Sequence, residues 1–189
     1  MTYLQILTDI CSRVADPDLD TYKERAKDHF LRALTTMVTS GEYIDSDIRG
    51  YIKLKTDLTF STNPYNASAL KILKIAEIMP NPQTPNNYSV YYKEFEDLKL
   101  VSQVAKLQPE ATEVFIFMVG ISMYAVYKAT GSNFVPATAT LYMKYVEIID
   151  SSGWVDATVI DGTPYWISTN FIRRGIEIAS KTLLDEVNL

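Results

Sequence analysis

This chain holds one histidine, His29, and one cysteine, Cys11, in 189 residues, and its seven glycines gather into no glycine-rich loop. Most routes to covalent chemistry, to transition-metal binding or to a phosphate cradle need such residues clustered, so most are closed at the outset. A lone cysteine in an apolar stripe has no disulfide partner and reads as a small core residue rather than a reactive thiol. Cations are also short: 18 Lys and Arg stand against 23 Asp and Glu, a net charge of -5. No basic cluster appears, which argues against a protein whose main task is to grip nucleic-acid phosphates. Between Lys144 and Arg173 there is no basic residue at all, while Glu147, Asp150, Asp156 and Asp161 fall in that stretch. It reads as solvated loop, or as a face that repels DNA or meets a basic partner.

Long apolar runs are missing too. The longest, Val114 to Tyr127, is about 14 residues against the roughly 20 needed to cross a bilayer, so it reads as a buried helix and no membrane partner is expected. Asp9, Arg13 and Asp16 arrive too early for a signal peptide, and the chain is expected to stay in the cytosol.

What is present is an ordinary globular composition, 47% hydrophobic and 22% charged, and a length that suits one domain or one domain with an appendage. Tyr3, Ile6, Leu7, Ile10, Cys11 and Val14 recur at three-and-four spacing, predicting a helix from Thr2 to Ala15. Asp16-Pro17-Asp18-Leu19-Asp20 breaks it. Thr21 with Glu24 three residues on has the form of a capping box, opening a second helix with Tyr22, Ala26, Phe30, Ala33, Leu34 and Met37 inward and Gly41 at its end. A short helix near Ser46 to Ile52 is expected, then extended segments at Lys53 to Phe60, Ala69 to Ile78 and Tyr88 to Tyr92. These make a small antiparallel insertion whose proline- and asparagine-rich tip runs from Met79 to Asn87. Phe95, Leu98, Val101 and Ala105 give another helix. Pro109 to Thr130 reads as the central, most buried helix, and Pro136 to Asp150 as its partner. Trp154 to Ile160 and Tyr165 to Ile167 flank Asp161-Gly162 as a hairpin or loop. A cap at Ser168, Thr169 or Asn170 starts a final helix with Ile172, Ile176, Ala179, Leu183 and Val187 inward.

The fold class expected from this layout is mainly α. A helical bundle surrounds a central apolar helix, with a small antiparallel β insertion and an extended carboxy-terminal segment ending in a helix. The domain reading is a core of residues 1–153, with the insertion at about 53–92, and a partner-contacting segment of residues 154–189.

No constellation carries chemistry. Asp16, Asp18 and Asp20 alternate like the first ligands of an EF-hand, but Thr21 and Lys27 occupy the positions that need glycine and glutamate. They read instead as carboxylates near a positive helix end. His29, beside Arg25, Lys27, Asp28 and Arg32, reads as a partly buried structural histidine, because nothing local proposes a nucleophile for it. No catalytic residue, metal site or cofactor is therefore expected, and the chain is not read as an enzyme. The best hint of function is aromatic. Trp154, Tyr165, Trp166 and Phe171, followed by Arg173 and Arg174, have the composition of a protein contact site, and thirteen tyrosines push the same way.

The opening Arg13-Val14-Ala15-Asp16-Pro17-Asp18-Leu19 and the helix from Tyr22 to Thr39 resemble the start of the head-tail connector, or adaptor, proteins of tailed bacteriophages. The expected helices Pro109 to Thr130 and Pro136 to Asp150, with Tyr142 and Tyr145 in the second, and the carboxy-terminal helix extend the resemblance as a layout. The resemblance implies a structural subunit of a neck ring in the virion, assembled in the host cytoplasm. It would join itself in a ring, usually twelve-fold, bind the portal protein and the next neck or tail protein, and let DNA pass without binding it specifically. The alternative is a tail-completion protein or another helical adaptor without catalytic activity.

Overall fold

The structure, a computed structural model, describes all residues except 17, 59–64, 82–88, 111, 120–121, 129–133, 137–140 and 189. It divides into two compact units, one built from Met1–Ile52 with Val146–Leu189 and the other from Lys53–Tyr145. Both chain ends therefore build the first unit, and the second is inserted between them. The sequence reading had placed an insertion at about 53–92 and a boundary after Gly153.

The first unit is helical. Helix α1 (Tyr3–Ser12) opens with Thr2, whose hydroxyl accepts from the Gln5 N–H while the Gln5 side chain accepts from the Thr2 N–H. Helix α2 (Lys23–Ser40) ends at Gly41, which supplies the left-handed turn at φ 82°. The capping group at its start is not the expected Thr21. Asp16 reaches across the turn and accepts from the N–H groups of Thr21 and Tyr22 at 3.1 and 2.8 Å, putting a carboxylate at the positive end of the helix. The short helix expected near Ser46 is a single 3₁₀ turn, Asp45–Asp47. The last helix of the chain, Thr169–Val187, is capped by Ser168, which accepts from the Phe171 N–H. It packs on both α1 and α2. Tyr3, Ile6, Leu7, Ile10, Phe30, Leu34, Met37, Phe171, Ile172 and Ile176 are among its buried apolar side chains, so the three-and-four stripes read from the sequence do form this core.

The second unit overturns the expected fold class. Strands β1 (Ile52–Leu58), β2 (Tyr65–Asn66), β3 (Ile72–Pro80) and β4 (Ser89–Lys93) are followed by helix α3 (Asp97–Gln103). Strands β5 (Glu113–Val119), β6 (Ser122–Lys128), β7 (Phe134–Pro136) and β8 (Leu141–Glu147) come next, before the final helix, α4. Four α-helices and eight strands among the described residues make a mixed α/β fold, not a mainly α bundle. A three-stranded sheet has the order β1-β8-β3, and a five-stranded sheet runs β2-β6-β5-β4 with β7 beside β6. The expected central helix from Pro109 to Thr130 is an antiparallel pair, with Val114 opposite Tyr127 and Val119 opposite Ser122. The expected helix from Pro136 to Asp150 is β8 at its centre. The inserted strands are not a small antiparallel unit either, since β4 pairs in parallel with β5, Ser89 opposite Glu113 through Lys93 opposite Phe117. Most of the tip from Met79 to Asn87 lies outside the described residues.

The reason lies in β5. Its residues Val114, Phe115, Ile116 and Phe117 are all buried, because the strand is covered on both faces. Val114 and Ile116 join Leu58, Ile78, Met123, Ala125, Leu141 and Met143 in a core between the two sheets. Phe115 and Phe117 point the other way and pack with Val101 of α3 and Val126 of β6. A strand buried on both sides shows no polar alternation, and its continuous apolar run has the same appearance as a buried helix. The second unit is thus layered as sheet, sheet and helix.

Of the hairpin or loop expected across Asp161-Gly162, the structure has the loop. Residues 154–168 form turns joined to the rest of the first unit by isolated bridges, Thr2 with Val159 and Ile48 with Ile167.

Candidate functional site

The six residues read from the sequence as a contact site lie in one stretch of the first unit but do not form one surface. Trp154 and Phe171 are buried. Trp154 sits between two tyrosines, with ring centroids 5.2 Å from Tyr3 and 5.5 Å from Tyr165, both edge-on. Such pairs add about 0.5–1.5 kcal/mol beyond area burial, so Trp154 is a core aromatic that anchors the 154–168 loop on α1. Burial, followed by the carboxylates of Glu24, Asp28 and Asp156, pushes the Tyr3 hydroxyl up to about 12. Burial also pushes the Tyr51 hydroxyl up, with Tyr165 the next contributor. Phe171 lies on the buried face of α4.

Arg174 is exposed but engaged. Its guanidinium donates to the Glu42 carboxylate at 2.7 Å and to the Glu42 carbonyl at 3.1 Å, tying α4 to the end of α2. Arg173 is exposed, and Tyr165 is half-buried. That leaves Trp166 as the aromatic that faces outward, 47% exposed. Its backbone has φ 45°, the left-handed region that costs a non-glycine residue about 1 kcal/mol or more. Bonds on either side hold it there. The Trp166 N–H donates to Gly162, the Ile167 N–H to Ile160, and the Ser168 N–H to Asp47. The Ser168 hydroxyl donates to the Asp47 carboxylate at 2.7 Å.

The other groups singled out from the sequence have structural places. His29 is 14% exposed, and its Nε2 lies 2.6 Å from Glu186 of α4, which also pairs with Arg25 at 3.1 Å. The hydrogen bond with His29 holds the Glu186 carboxyl below its ordinary range, aided by the charges of Arg25, His29 and Arg32. Cys11 is buried, and burial together with Asp16 pushes its thiol up to about 11, far from a reactive thiolate. Asp161 accepts from the Met1 ammonium at 2.6 Å and from the Thr169 hydroxyl at 3.3 Å. The ammonium bond holds its carboxyl below the ordinary range. Among the described residues, no three His, Cys, Asp or Glu side chains gather where they could hold a metal ion, and no helix is long and apolar enough to cross a membrane.

Sequence reasoning missed a second surface, in the inserted unit. Around α3, exposed apolar side chains include Phe95, Leu100, Val104 and Leu107, with Tyr91 of the adjacent strand β4 on the same face against Phe115, whereas Tyr92 lies on the other face of β4, where its hydroxyl accepts from the Ile78 N–H. An open depression of about 610 Å³ is lined there by Phe95, Glu96, Leu98 and Lys99. A smaller one of about 140 Å³ is lined by Lys93, Asp97, Leu100, Val101 and Leu107. The signal was in the helix itself: Leu98 and Val101 face the sheet and Phe95 touches Tyr124 at its edge, and the remaining apolar residues up to Leu107 exceed what one buried stripe needs.

No protein-family model matches this chain, and no curated protein is significantly similar to it.

Proposed function

We propose that this chain is a structural assembly subunit, specifically a component of the neck ring that joins the portal vertex of a tailed bacteriophage to its tail. The observation that carries the reading is the apolar surface around α3 and β4. Phe95, Leu100, Val104, Leu107 and Tyr91 are exposed together in one unit, and an apolar patch of this kind marks a surface that other proteins cover. The helical portion of the resemblance supports it as well. Helices α1, α2 and the terminal helix are the parts of that layout that support the reading, whereas the two later helices of the layout are strands and lend nothing. In a closed ring each subunit meets its neighbours through two different surfaces and meets the layers above and below through others. A chain with a helical unit and an inserted sheet unit has that many faces to offer. The net charge of -5 suits a conduit through which DNA slides.

The test is a mass measurement in solution with and without purified portal rings of the same virus. A neck subunit adds to the portal in a fixed ratio, one copy per portal subunit or a simple fraction of it. Failure of the full chain to join portal rings, with its fold intact by circular dichroism, overturns the neck assignment and leaves the alternative of a tail-completion protein or another adaptor.

A further inference from the structure

Helix α4 packs its apolar stripe on α1 and α2, and its opposite face carries a charge at every fourth residue: Arg173, Glu177, Lys181 and Asp185, alternating in sign and all exposed. We propose that this row is a two-fold self-association contact, in which α4 of one copy lies antiparallel to α4 of a second copy of this chain.

All four charges of the row are unspent. Their neighbours on α4 are engaged, Arg174 with Glu42 and Glu186 with His29 and Arg25. Among the described residues, the side chains of Arg173, Glu177, Lys181 and Asp185 make no hydrogen bond or ion pair, either along α4 or with another element. A row of alternating charge on one helix ordinarily reads as a solvated face whose members pair along the helix, and here no such pair closes. Nor does the row suit its own helix. Asp185 stands in the last turn, at the negative end of the macrodipole, and Arg173 toward the positive end, so each lies nearer the end that disfavours its charge.

An antiparallel second copy answers both points. With the two-fold axis at the level of Ala179, midway along the row, Arg173 of each copy faces Asp185 of the other, and Glu177 of each faces Lys181 of the other. Every charge then meets its opposite, Asp185 lies beside the positive end of the neighbouring helix, and Arg173 lies beside its negative end. A parallel pair in register sets each charge against its own sign, which is repulsive. The order of charges therefore names both the occupant and its direction. Rows of every fourth residue are also the ridges that interdigitate in the commonest helix packing. Ile178 and Leu184, 38% and 41% exposed on either side of the row, add apolar area to the contact. Such a contact closes with two copies, whereas neighbours in a cyclic ring meet through two different surfaces, so it does not depend on the neck reading.

Sedimentation velocity of the full chain over a concentration series tests it, with the wild type, Arg173→Glu, Asp185→Lys and an equimolar mixture of the two variants. Each substitution puts a charge where the dipole of α4 favours it, so neither variant should melt below the wild type, and lost association cannot be put down to lost folding. The expected result is self-association of the wild type that weakens with added salt. Each variant alone should associate at least about tenfold more weakly, because like charges then meet at both ends of the pair. The mixture should recover the strength of the wild type, since the new glutamate of one variant faces the new lysine of the other. A wild type that stays monomeric at its highest soluble concentration overturns the proposal. So does association that neither substitution weakens, or a mixture that associates no better than its components. The portal experiment fails independently: variants that lose self-association yet still load onto portal rings leave the neck reading standing, and a chain that pairs through α4 but never joins a portal leaves this contact standing without it.

Discussion

Gly50 lies against the backbone of Tyr165: a Cβ placed on the glycine would stand 2.0 Å from the Tyr165 carbonyl oxygen, 2.6 Å from its carbon and 2.8 Å from the Pro164 oxygen. Main-chain atoms cannot rotate away as a side chain can, so Gly50→Ala must push the 161–168 loop off the turn. Overpacking of this kind costs about 1–3 kcal/mol, or roughly 2–12 °C in the melting temperature at this chain length. Displacement of the loop should also change the fluorescence of Trp166. An alanine variant that melts with the wild type shows that the loop is not seated on Gly50.

Gly175 makes the complementary case. A Cβ there would meet Leu34 Cδ2 at 2.9 Å and Phe30 Cε2 at 3.0 Å, which are side-chain ends where α4 crosses α2. Alanine also gains about 1 kcal/mol of helix propensity over glycine. Gly175→Ala should therefore be clearly milder than Gly50→Ala, while Gly175→Leu, which cannot fit the crossing, should melt well below both. Thermal denaturation of the three variants checks the order, and a leucine variant as stable as the alanine one refutes the close crossing.

The first unit was largely legible in the sequence, and the second was not. Helices α1, α2 and α4 each bury one face, so Ile6 with Ile10, Phe30 with Leu34, and Ile172 with Ile176 record their period. Gly41 and Ser168 mark an end and a start. Strand β5 hides its period because Val114 and Ile116 serve one core while Phe115 and Phe117 serve another. The residue types were informative where the pattern was not, since Val, Phe and Ile in an unbroken run favour a strand. The candidate site divided similarly. Trp166 could be found from composition, but Trp154 goes inward to Tyr3.

Glu186 gives a pH dependence of definite sign. Its carboxyl is held below the ordinary value by the hydrogen bond with His29 and by neighbouring cations. A carboxyl whose folded pKa is depressed contributes stability above its unfolded pKa and loses it as pH falls through the folded one. Glu186→Gln should thus melt below the wild type near neutrality, and the gap should close as the pH drops below the ordinary glutamate value of about 4.3. Melting curves of the pair from neutral to acid pH measure it. A gap that persists unchanged in acid means that the carboxylate does not act through its charge.

Asp16 and Thr21 compete for one role, and their alanine variants separate them. The sequence spacing assigns the cap of α2 to Thr21 with Glu24, whereas in the structure Asp16 accepts from the Thr21 and Tyr22 N–H groups. Removing a helix cap costs typically about 1 kcal/mol. Because the charge also sits at the positive end of the helix, Asp16→Asn should retain part of what Asp16→Ala loses. Thr21→Ala leaves both hydrogen bonds in place, since it is the backbone N–H of Thr21 that donates, and should be nearly silent. Chemical denaturation of the three variants decides the matter: a Thr21→Ala loss equal to that of Asp16→Ala would return the cap to the hydroxyl.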